Sequence, residues 1–270
     1  MHRHSLFAVL ALASALASSC IANDTLKVPD TVPKCVGSVP GTMRVASYNV
    51  ASGQKSSIDQ IADYIGTFSP DIIALQEVNV GAAGGDGRDQ PAVIADKLGY
   101  QKIYAATVTR GGIGTYGIAL LSRYPILSVT RIDMRTQWEA EPRVIIDATV
   151  CAGDKPIRVL ATHTDVWKPQ PGFDQIAKLL APHPSGPTLL IGDLNEQPTE
   201  AGPLELQGDS LHDLIGHFAE GPTFWSDDKR IDYVFADDTL NALATGGAIG
   251  QEKLSDHLPV WADFNLVKLQ

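Results

Sequence analysis

Acid, amide and imidazole side chains interrupt several of the most apolar stretches of this 270-residue sequence. They lie in or at the end of runs that otherwise suit the core of a β-sheet: Asn49, Glu77, His163, Asp193, Asn195 and Asp232. An ionised carboxylate in such a run costs several kcal/mol unless it is paired or bound to a metal. The repetition predicts that these groups have a function and are not accidental.

Glu77 is the best single candidate for a metal ligand. It lies in the nearly continuous apolar run 71–78 that follows Pro70. Hard oxygen ligands suit Mg²⁺, Mn²⁺ or Ca²⁺, and Mg²⁺ usually takes only one or two protein carboxylates. The alternative is a strand-end carboxylate that forms a surface ion pair.

Asp193 and Asn195 lie two residues apart after the apolar run 188–192. In an extended segment this spacing puts both side chains on the same side. Such a pair can bind a phosphate oxygen or a metal-bound water while it polarises a nucleophile. The alternative is an Asx-type turn after a buried strand.

Four further side chains suit acid–base chemistry. Asp256 and His257 are adjacent and directly precede an apolar strand. A histidine with a near-neutral pKa can act as a base or stabilise charge on phosphorus, and Asp232 is the natural carboxylate to fix its tautomer. His163 closes the apolar run 159–162, where a hydrogen-bonded strand-end imidazole is the alternative. Surface or packing roles are expected for His183, His212 and His217.

The hydrophobic pattern places these groups on alternating strands and helices. Strands are predicted at 43–50, 71–78, 102–108, 117–122, 144–150, 157–162, 188–192, 231–235 and 258–264. Helices are predicted at 58–68, 92–98 and 173–180. So many strands with so few helices favour two packed sheets covered by helices, an α/β or α+β fold with mixed sheets.

The composition supports one catalytic domain at 43–270. With 44% hydrophobic and 19% charged residues, the chain can bury one large core. The formal net charge of -10 argues against a broad basic surface that holds nucleic acid. A bound metal and a few arginines can still recruit a polyanion.

The N-terminal residues 1–22 have the layout of a secretory signal peptide, with a basic start, a short apolar run and small residues. Ordinary cleavage and a lipobox-like signal, in which Cys20 becomes a lipid anchor, both stay open. Residues 23–42 predict a tether. Cys35 and Cys151 remain as a pair for which a disulfide is reasonable in an oxidising compartment. We therefore expect a periplasmic or extracellular protein, either free or held at the membrane as a lipoprotein.

Seven short motifs occur in order along the chain. They are Ser47-Tyr48-Asn49, Leu75-Gln76-Glu77-Val78, Tyr116-Gly117-Ile118-Ala119-Leu120-Leu121-Ser122, Thr162-His163, Gly192-Asp193-Leu194-Asn195, Ile231-Asp232-Tyr233-Val234 and Ser255-Asp256-His257. In this order they resemble the endonuclease/exonuclease/phosphatase superfamily, which includes exonuclease III-type enzymes, pancreatic-type deoxyribonucleases, neutral sphingomyelinases and inositol polyphosphate 5-phosphatases. The resemblance spans 43–265 and implies a four-layer sandwich, two mixed β-sheets flanked by helices, with the site at one end of the sheets.

The resemblance also implies a metal and a set of phosphate contacts. Glu77 would be the principal ligand of Mg²⁺, or of Mn²⁺ or Ca²⁺, with Asn49 and Asp256 near the ion. Asp193 and Asn195 would position the attacking water and the phosphate.

The remaining implied roles concern proton transfer and substrate binding. Asp232 would orient His257, which contacts the scissile phosphate or assists proton transfer. His163 matches the second histidine of the deoxyribonuclease and sphingomyelinase branches, where it assists at the phosphate or leaving group. Tyr116 and Arg143 are candidate phosphate contacts.

The predicted activity is hydrolysis of a phosphodiester in a nucleic acid, a phospholipid or a small molecule, with no stable protein partner implied. Ala51 stands where abasic-site enzymes of the family carry an Asp, which favours a branch outside base-excision repair. Substrate choice is expected to lie in the loops 81–90, 109–115 and 165–172. Trp167 and Phe173 are residues that either touch a base or lipid or pack within their loop.

Three other functions stay open. One is a phosphate monoesterase of the same fold. Another is a surface-tethered binding protein that has kept the fold but lost catalysis. The third is a glycosidase with paired acids such as Glu77 and Glu139, which the resemblance does not support.

Overall fold

Strands and helices alternate along the part of the chain that this computed structural model describes, residues 34–134, 141–181, 186–208 and 211–269. The strands are β1 (Thr42–Asn49), β2 (Ile72–Val80), β3 (Gln101–Arg110), β4 (Gly114–Ser122), β5 (Ile126–Asp133), β6 (Val144–Ala152), β7 (Lys155–His163), β8 (Thr188–Asp193), β9 (Leu211–Asp213), β10 (Asp232–Asp237), β11 (Ala244–Ile249) and β12 (Val260–Asn265). The helices are α1 (Ile58–Phe68), α2 (Gln90–Leu98), α3 (Gln170–Leu180), α4 (Ala201–Gly208), α5 (Leu214–Phe218) and α6 (Asp238–Asn241). The predicted leader, Cys20 and Glu139 lie outside the described residues.

The strands form two sheets of six strands each. Sheet 1 has the order β11-β12-β1-β2-β4-β3, and sheet 2 has the order β5-β6-β7-β8-β10-β9. Each sheet has one parallel pair, β1 with β2 and β7 with β8, and its other pairs are antiparallel. The expected mixed sheets are therefore confirmed.

Alternate side chains along the central strands pack on opposite faces, as strand geometry requires. In β1, Val45 packs into the core between the two sheets, whereas Ala46 and Tyr48 pack against α1 and α2. Residues of sheet 2 such as Leu160 pack outward against α3 and α4 in the same way. The molecule thus has the four layers that the resemblance implies, helices, sheet, sheet and helices.

Helix α1 shows how local sequence sets an element that covers sheet 1. Ser57 and Gln60 form a capping box at its start, and Ser69 ends it in the left-handed conformation (φ 44°) immediately before Pro70. The predicted apolar stripe is buried, and residues such as Ile61 and Ile65 each contribute about 1.5–3 kcal/mol by leaving water.

Most predicted elements are confirmed within a few residues. Some strands of the structure were not predicted. Strand β5 lies at a sheet edge, β9 has only three residues, and β11 contains two glycines, so their hydrophobic patterns are weak. The prediction of a loop at 109–115 is wrong, because β3 and β4 continue as a hairpin whose turn is 111–113. The loop predicted at 165–172 ends at Gln170, where α3 begins.

The described part of the predicted tether is attached to the domain. Cys35 forms a disulfide with Cys151 near the end of β6, as the sequence suggested. The chain then passes so close to the β6–β7 turn that a Cβ on Gly153 would lie 2.4 Å from the Ser38 carbonyl oxygen. Among the described residues, no helix is both long and apolar enough to span a bilayer.

Candidate active site

The candidate site lies at one end of the sandwich because strand direction brings its residues there. Asn49, His163 and Asp193 each end a strand, and Asp232 begins a strand that runs antiparallel to β8. The register places His163 and Asp232 on either side of Asp193 in sheet 2. His257 precedes β12, which runs antiparallel to β1. Residues far apart in sequence therefore meet at the same end of both sheets.

Asp193 is the centre of this site. Its Oδ2 accepts a hydrogen bond from Asn49 Nδ2 at 3.0 Å. The Nε2 atoms of His163 and His257 lie 3.5 Å and 3.6 Å from the same oxygen. The carboxylate is buried, so these neighbours replace the water that would otherwise solvate it. The two imidazoles therefore face one point, as the family resemblance implies.

His257 is oriented by Asp232. Its Nδ1 donates to Asp232 Oδ2 at 2.8 Å, and both residues are buried. The start of β10 is fixed in turn by Thr223, whose Oγ1 accepts from the backbone N–H groups of Ile231 and Asp232. The ring of Phe224 packs on the imidazole with 4.8 Å between centroids. The predicted acid–histidine pair is therefore present, together with two supporting residues, Thr223 and Phe224, that no motif in the sequence indicated.

The proton affinities of these groups are strongly perturbed. Burial raises the pKa of Asp193 to about 7, and the charge of Asp232 adds to this effect while His257 opposes it. Burial acts to lower the pKa of His257, but the Asp232 and Asp193 carboxylates outweigh it and raise this pKa to about 10. A carboxyl group that titrates near neutral pH beside a protonated imidazole suits general acid–base catalysis.

His163 has a different environment. Its Nδ1 lies 2.9 Å from Arg143 Nη1, and both side chains are buried. Burial and then the positive charges of Arg143 and His257 hold the pKa of His163 well below its ordinary value. Arg143 also pairs with Glu141 at 3.0 Å. The two histidines of the site therefore differ in charge as well as in position.

Glu77 is turned toward the site by an irregularity in β2. The register between β2 and β4 shifts between Leu75 and Val78, and Glu77 has a φ of 57°. A non-glycine residue in this region costs about 1–3 kcal/mol, which the surrounding structure must offset. Its Oε1 accepts from Asn49 Nδ2 at 3.2 Å. The same amide also donates to Asp193, so Asn49 links the two carboxylates.

Asn195 does not extend β8 as expected. It has a φ of 52°, and its backbone N–H donates to Asp193 Oδ1 at 3.0 Å. This is the Asx-type turn that was the alternative. The Asn195 side-chain amide donates to the Thr164 carbonyl at 2.9 Å, which joins the loops that follow β7 and β8.

Asp256 lies in the loop before β12, close enough to His257 for its charge to help raise the pKa of that imidazole, and Tyr116 lies in β4. Asp256 is half-buried, and its Oδ1 accepts from Ser255 Oγ at 3.1 Å. Tyr116 is buried in β4, and burial followed by the charge of Glu77 raises the pKa of its phenol. The guanidinium of Arg110 lies 3.7 Å from the centroid of this ring. Arg110 is a further basic residue at the site that spacing in the sequence did not indicate.

The donor chemistry of the site fits a hard divalent cation. Asp193, Asp232 and His257 each offer a ligand atom within 4.8 Å of the others. Asp232 Oδ1 is buried and has no hydrogen-bond partner among the described residues. This convergent set differs from the predicted ligands, Glu77, Asn49 and Asp256. In the convergent set, His257 Nδ1 already binds Asp232. The half-buried carboxylates of Glu77 and Asp256 are therefore better suited to an ion that keeps water ligands.

The remaining histidines of the described chain lie elsewhere. His212 and His217 line a surface cavity of 790 Å³ together with Asp213 and Arg230. Arg230 pairs with Asp213 at 2.5 Å, and His212 pairs with the exposed Asp238 at 2.6 Å. These positions agree with the predicted surface and packing roles, and His183 lies outside the described residues.

Two mixed sheets flanked by helices, with acids and histidines at one end, define a phosphoesterase fold. The chain belongs to the Endonuclease/Exonuclease/phosphatase family, whose family model matches residues 46–257. Members of this family are generally hydrolases of phosphoesters, and they usually use a divalent metal. No curated protein is detectably similar to this chain in sequence.

Solved structures from several organisms have the same fold. An endonuclease/exonuclease/phosphatase from Beutenbergia cavernae DSM 12333 is 22% identical, with a TM-score of 0.70 over 84% of this chain and 72% of its own. A family protein from Leptotrichia buccalis C-1013-b is 21% identical, with a TM-score of 0.67 over 82% of this chain and 99% of its own. Truncated TDP2 from Caenorhabditis elegans is 17% identical, with a TM-score of 0.59 over 84% of this chain and 100% of its own. At these identities the similarity shows the fold alone.

Proposed function

We propose that this chain is an exported, divalent-metal-dependent phosphoesterase that hydrolyses a phosphodiester by in-line attack of water. The observation that carries the proposal is the arrangement of the two imidazoles. The Nε2 atoms of His163 and His257 both face the buried Asp193. At Nδ1 the two rings are held by partners of opposite charge, His163 by Arg143 and His257 by Asp232. In this proposal the two imidazoles are the groups that hydrogen-bond a phosphate bound beside Asp193.

Glu77 and Asp256 are the proposed metal ligands, with Asn49 beside them. Both carboxylates are half-buried, so they can reach an ion that keeps water and substrate oxygens in its coordination shell. When bound, the metal would neutralise charge on phosphate oxygens. Asn49 would hold Glu77 in place through its hydrogen bond.

The other site residues would manage water, protons and the phosphate. Asp193, whose pKa is raised to about 7, would accept a proton from the attacking water. His257, held by Asp232, would donate to a phosphate oxygen or the leaving group. Asn195 would keep the Asp193 loop in place. Tyr116 and Arg143 would contact the phosphate.

The proposed substrate is a nucleic acid or a small phosphodiester. Trp167 supports this choice, because 89% of its surface is exposed in the loop that follows β7 and His163. A base can stack on such a ring. Phe173, in contrast, is fully buried among the residues that pack α3 against sheet 2. A phospholipid, or a phosphate monoester, is the alternative substrate.

Export rests on the leader at 1–22 and is supported by the Cys35–Cys151 disulfide. Disulfides persist mainly in oxidising compartments. A periplasmic or extracellular location therefore fits both observations, with a lipid anchor at Cys20 as one form. Metabolic labelling with a fatty acid, in the full chain and in Cys20→Ala, would distinguish an anchored from a free protein.

The activity is tested with paired substrates and a matched variant. We expect the full chain to hydrolyse bis(p-nitrophenyl) phosphate faster than p-nitrophenyl phosphate with Mg²⁺, Mn²⁺ or Ca²⁺, and EDTA to abolish both rates. Glu77→Gln should lower kcat at least about 100-fold, whereas Glu205→Gln on the exposed face of α4 should not. Activity that persists in EDTA would contradict metal dependence, and faster monoester hydrolysis would favour the monoesterase. Full activity of Glu77→Gln would exclude Glu77 as a metal ligand that the reaction needs.

A further inference from the structure

His163 is held at Nδ1 by a guanidinium. Arg143 Nη1 lies 2.9 Å from His163 Nδ1, and each side chain exposes less than a tenth of its surface, 8% for Arg143 and 3% for His163. A guanidinium has five N–H donors and no acceptor. His163 Nδ1 must therefore accept this hydrogen bond, which is possible only if that nitrogen carries no proton.

The geometry points to Arg143 as a positioning residue that fixes His163 as the neutral tautomer with its proton on Nε2. This inference rests on the proposed function for its catalytic meaning, but the tautomer follows from the contact alone. An unprotonated Nδ1 excludes the imidazolium form and the opposite neutral tautomer. The single remaining proton then lies on Nε2, the atom that faces Asp193 at 3.5 Å.

His257 is held at Nδ1 by a partner of the opposite charge. His257 Nδ1 faces a carboxylate, Asp232, so it donates from that nitrogen. His163 Nδ1 faces a cation, so it accepts. Two imidazoles around one carboxylate are therefore set to opposite hydrogen-bond patterns by one acidic and one basic partner. His163 acts as a neutral N–H donor to a phosphate oxygen and cannot accept a proton at Nε2.

Arg143 is itself held in place for this task. Its backbone carbonyl accepts from the Met134 N–H at 2.8 Å, and it directly precedes β6, which pairs with β7. Glu141 lies 3.0 Å from the same Nη1 and offsets the buried positive charge. Nη1 is the guanidinium atom through which Arg143 reaches both His163 and Glu141, whereas its buried Nε has no hydrogen-bond partner among the described residues.

Imidazole NMR tests the tautomer directly. In the full chain with ¹⁵N-labelled histidine, long-range ¹H–¹⁵N spectra at pH 7.5 separate protonated from unprotonated ring nitrogens. The His163 signals are assigned by their loss in His163→Asn. We expect an unprotonated Nδ1 and a protonated Nε2 in the wild type, both without metal and with Mg²⁺. A protonated Nδ1 would overturn the inference whatever the activity.

Variants of Arg143 test the positioning role. Arg143→Met should change the His163 Nδ1 signal and lower kcat about 10–100-fold with a smaller change in KM, and Arg143→Lys, which keeps a donor, should restore part of both. Arg158→Met is the matched control, because it removes a guanidinium from the far part of β7, where Arg158 pairs with Asp147. It should leave the His163 signals and kcat unchanged.

The outcomes separate the inference from the proposed function. An unchanged His163 spectrum in Arg143→Met would overturn the inference, as would a loss confined to KM, which would make Arg143 a phosphate contact only. A wild type that hydrolyses none of the phosphoesters but shows the expected tautomer would remove the proposed function and leave the positioning role intact. Circular dichroism of Arg143→Met and Arg143→Lys confirms that the compared variants are folded.

Discussion

Asp193 lies between two imidazoles that are held by partners of opposite charge. His257 shares its Nδ1 proton with Asp232, and His163 accepts from Arg143. The arrangement gives three titratable groups three different proton affinities within a few ångströms. Such separation of pKa values is how one site supplies both an acid and a base near neutral pH.

The Asp232–His257 contact can be tested against a second Asp–His pair in the same chain. Asp232→Asn removes the charge that raises the pKa of His257, so this pKa should fall and kcat should drop about 10²–10⁴-fold. Asp238→Asn breaks the exposed His212 contact and should change neither quantity. Steady-state kinetics and NMR titration of His257 measure both effects, and equal losses in the two variants would mean that the first acts through stability alone.

The same pKa shift predicts how the stability of the metal-free protein depends on pH. The pKa of His257 is raised from 6.5 to about 10 on folding, so its contribution is fully present below pH 6.5 and is lost as pH rises toward 10. We expect the free energy of unfolding, measured by urea titration in EDTA, to fall between pH 6.5 and 9. His257→Asn should flatten this decline. A stability that rises across this range in the wild type would show that the imidazole is not stabilised in its charged form.

At the scale of elements, strand ends explain which residues the sequence could identify. Asn49, His163 and Asp193 end apolar runs, and buried polar groups in such runs need partners, so their types and positions were predictable. Their convergence was not, because it depends on strand order and direction, which one sequence does not contain. The bulge that turns Glu77 is a local backbone irregularity without a sequence signature, whereas the Asx turn at Asn195 was one of two readings that the Asp-x-Asn spacing left open. The family motifs supplied the convergence that hydrophobic pattern alone could not.

Some residues that support the site lie outside the motifs and could not be identified from the sequence. Thr223 fixes the start of β10 through two backbone N–H groups, and Arg110 lies over Tyr116. A lone threonine or arginine in a loop or at a strand end is common on any surface. Only the folded arrangement shows that these side chains support the site.

The loop after β7 offers a test of substrate class. Asp165 Oδ1 accepts from the backbone N–H groups of Trp167 and Lys168, so the loop is fixed while the indole stays exposed. If a base stacks on Trp167, the Trp167→Ala variant should lose about 1–3 kcal/mol of binding, or roughly 5–150-fold in kcat/KM, on a thymidine phosphodiester. Hydrolysis of methyl p-nitrophenyl phosphate, which lacks a base, should change less.

Leu204→Ala is the control for this loop variant, because Leu204 is an exposed apolar residue on α4. It should leave both substrates unaffected. Equal losses on the two substrates in Trp167→Ala would place the indole outside base recognition and would favour a lipid or other substrate instead.

At the scale of the whole molecule, the candidate site and the Cys35–Cys151 disulfide, which attaches the N-terminal segment, lie at opposite ends of sheet 2. Arg143 directly precedes β6 at the end of the sheet that holds the site, and Cys151 is near the other end of that strand. The Cys35–Cys151 bond therefore joins the N-terminal segment to the domain at the end away from the site. This polarity means that changes at the disulfide should affect stability without changing the chemistry.

The disulfide supplies that test. Cys35 and Cys151 are separated by 116 positions, so their bond closes a long loop and restricts the unfolded chain. We expect Cys35→Ser/Cys151→Ser to lower the free energy of unfolding by about 2–4 kcal/mol in urea, with kcat and KM on bis(p-nitrophenyl) phosphate unchanged at 25 °C. Dithiothreitol should destabilise the wild type and leave the double variant unaffected. A loss of kcat in the folded double variant would show that the attachment influences the distant site, and equal stability with and without the bond would show that the N-terminal segment does not restrain the unfolded chain.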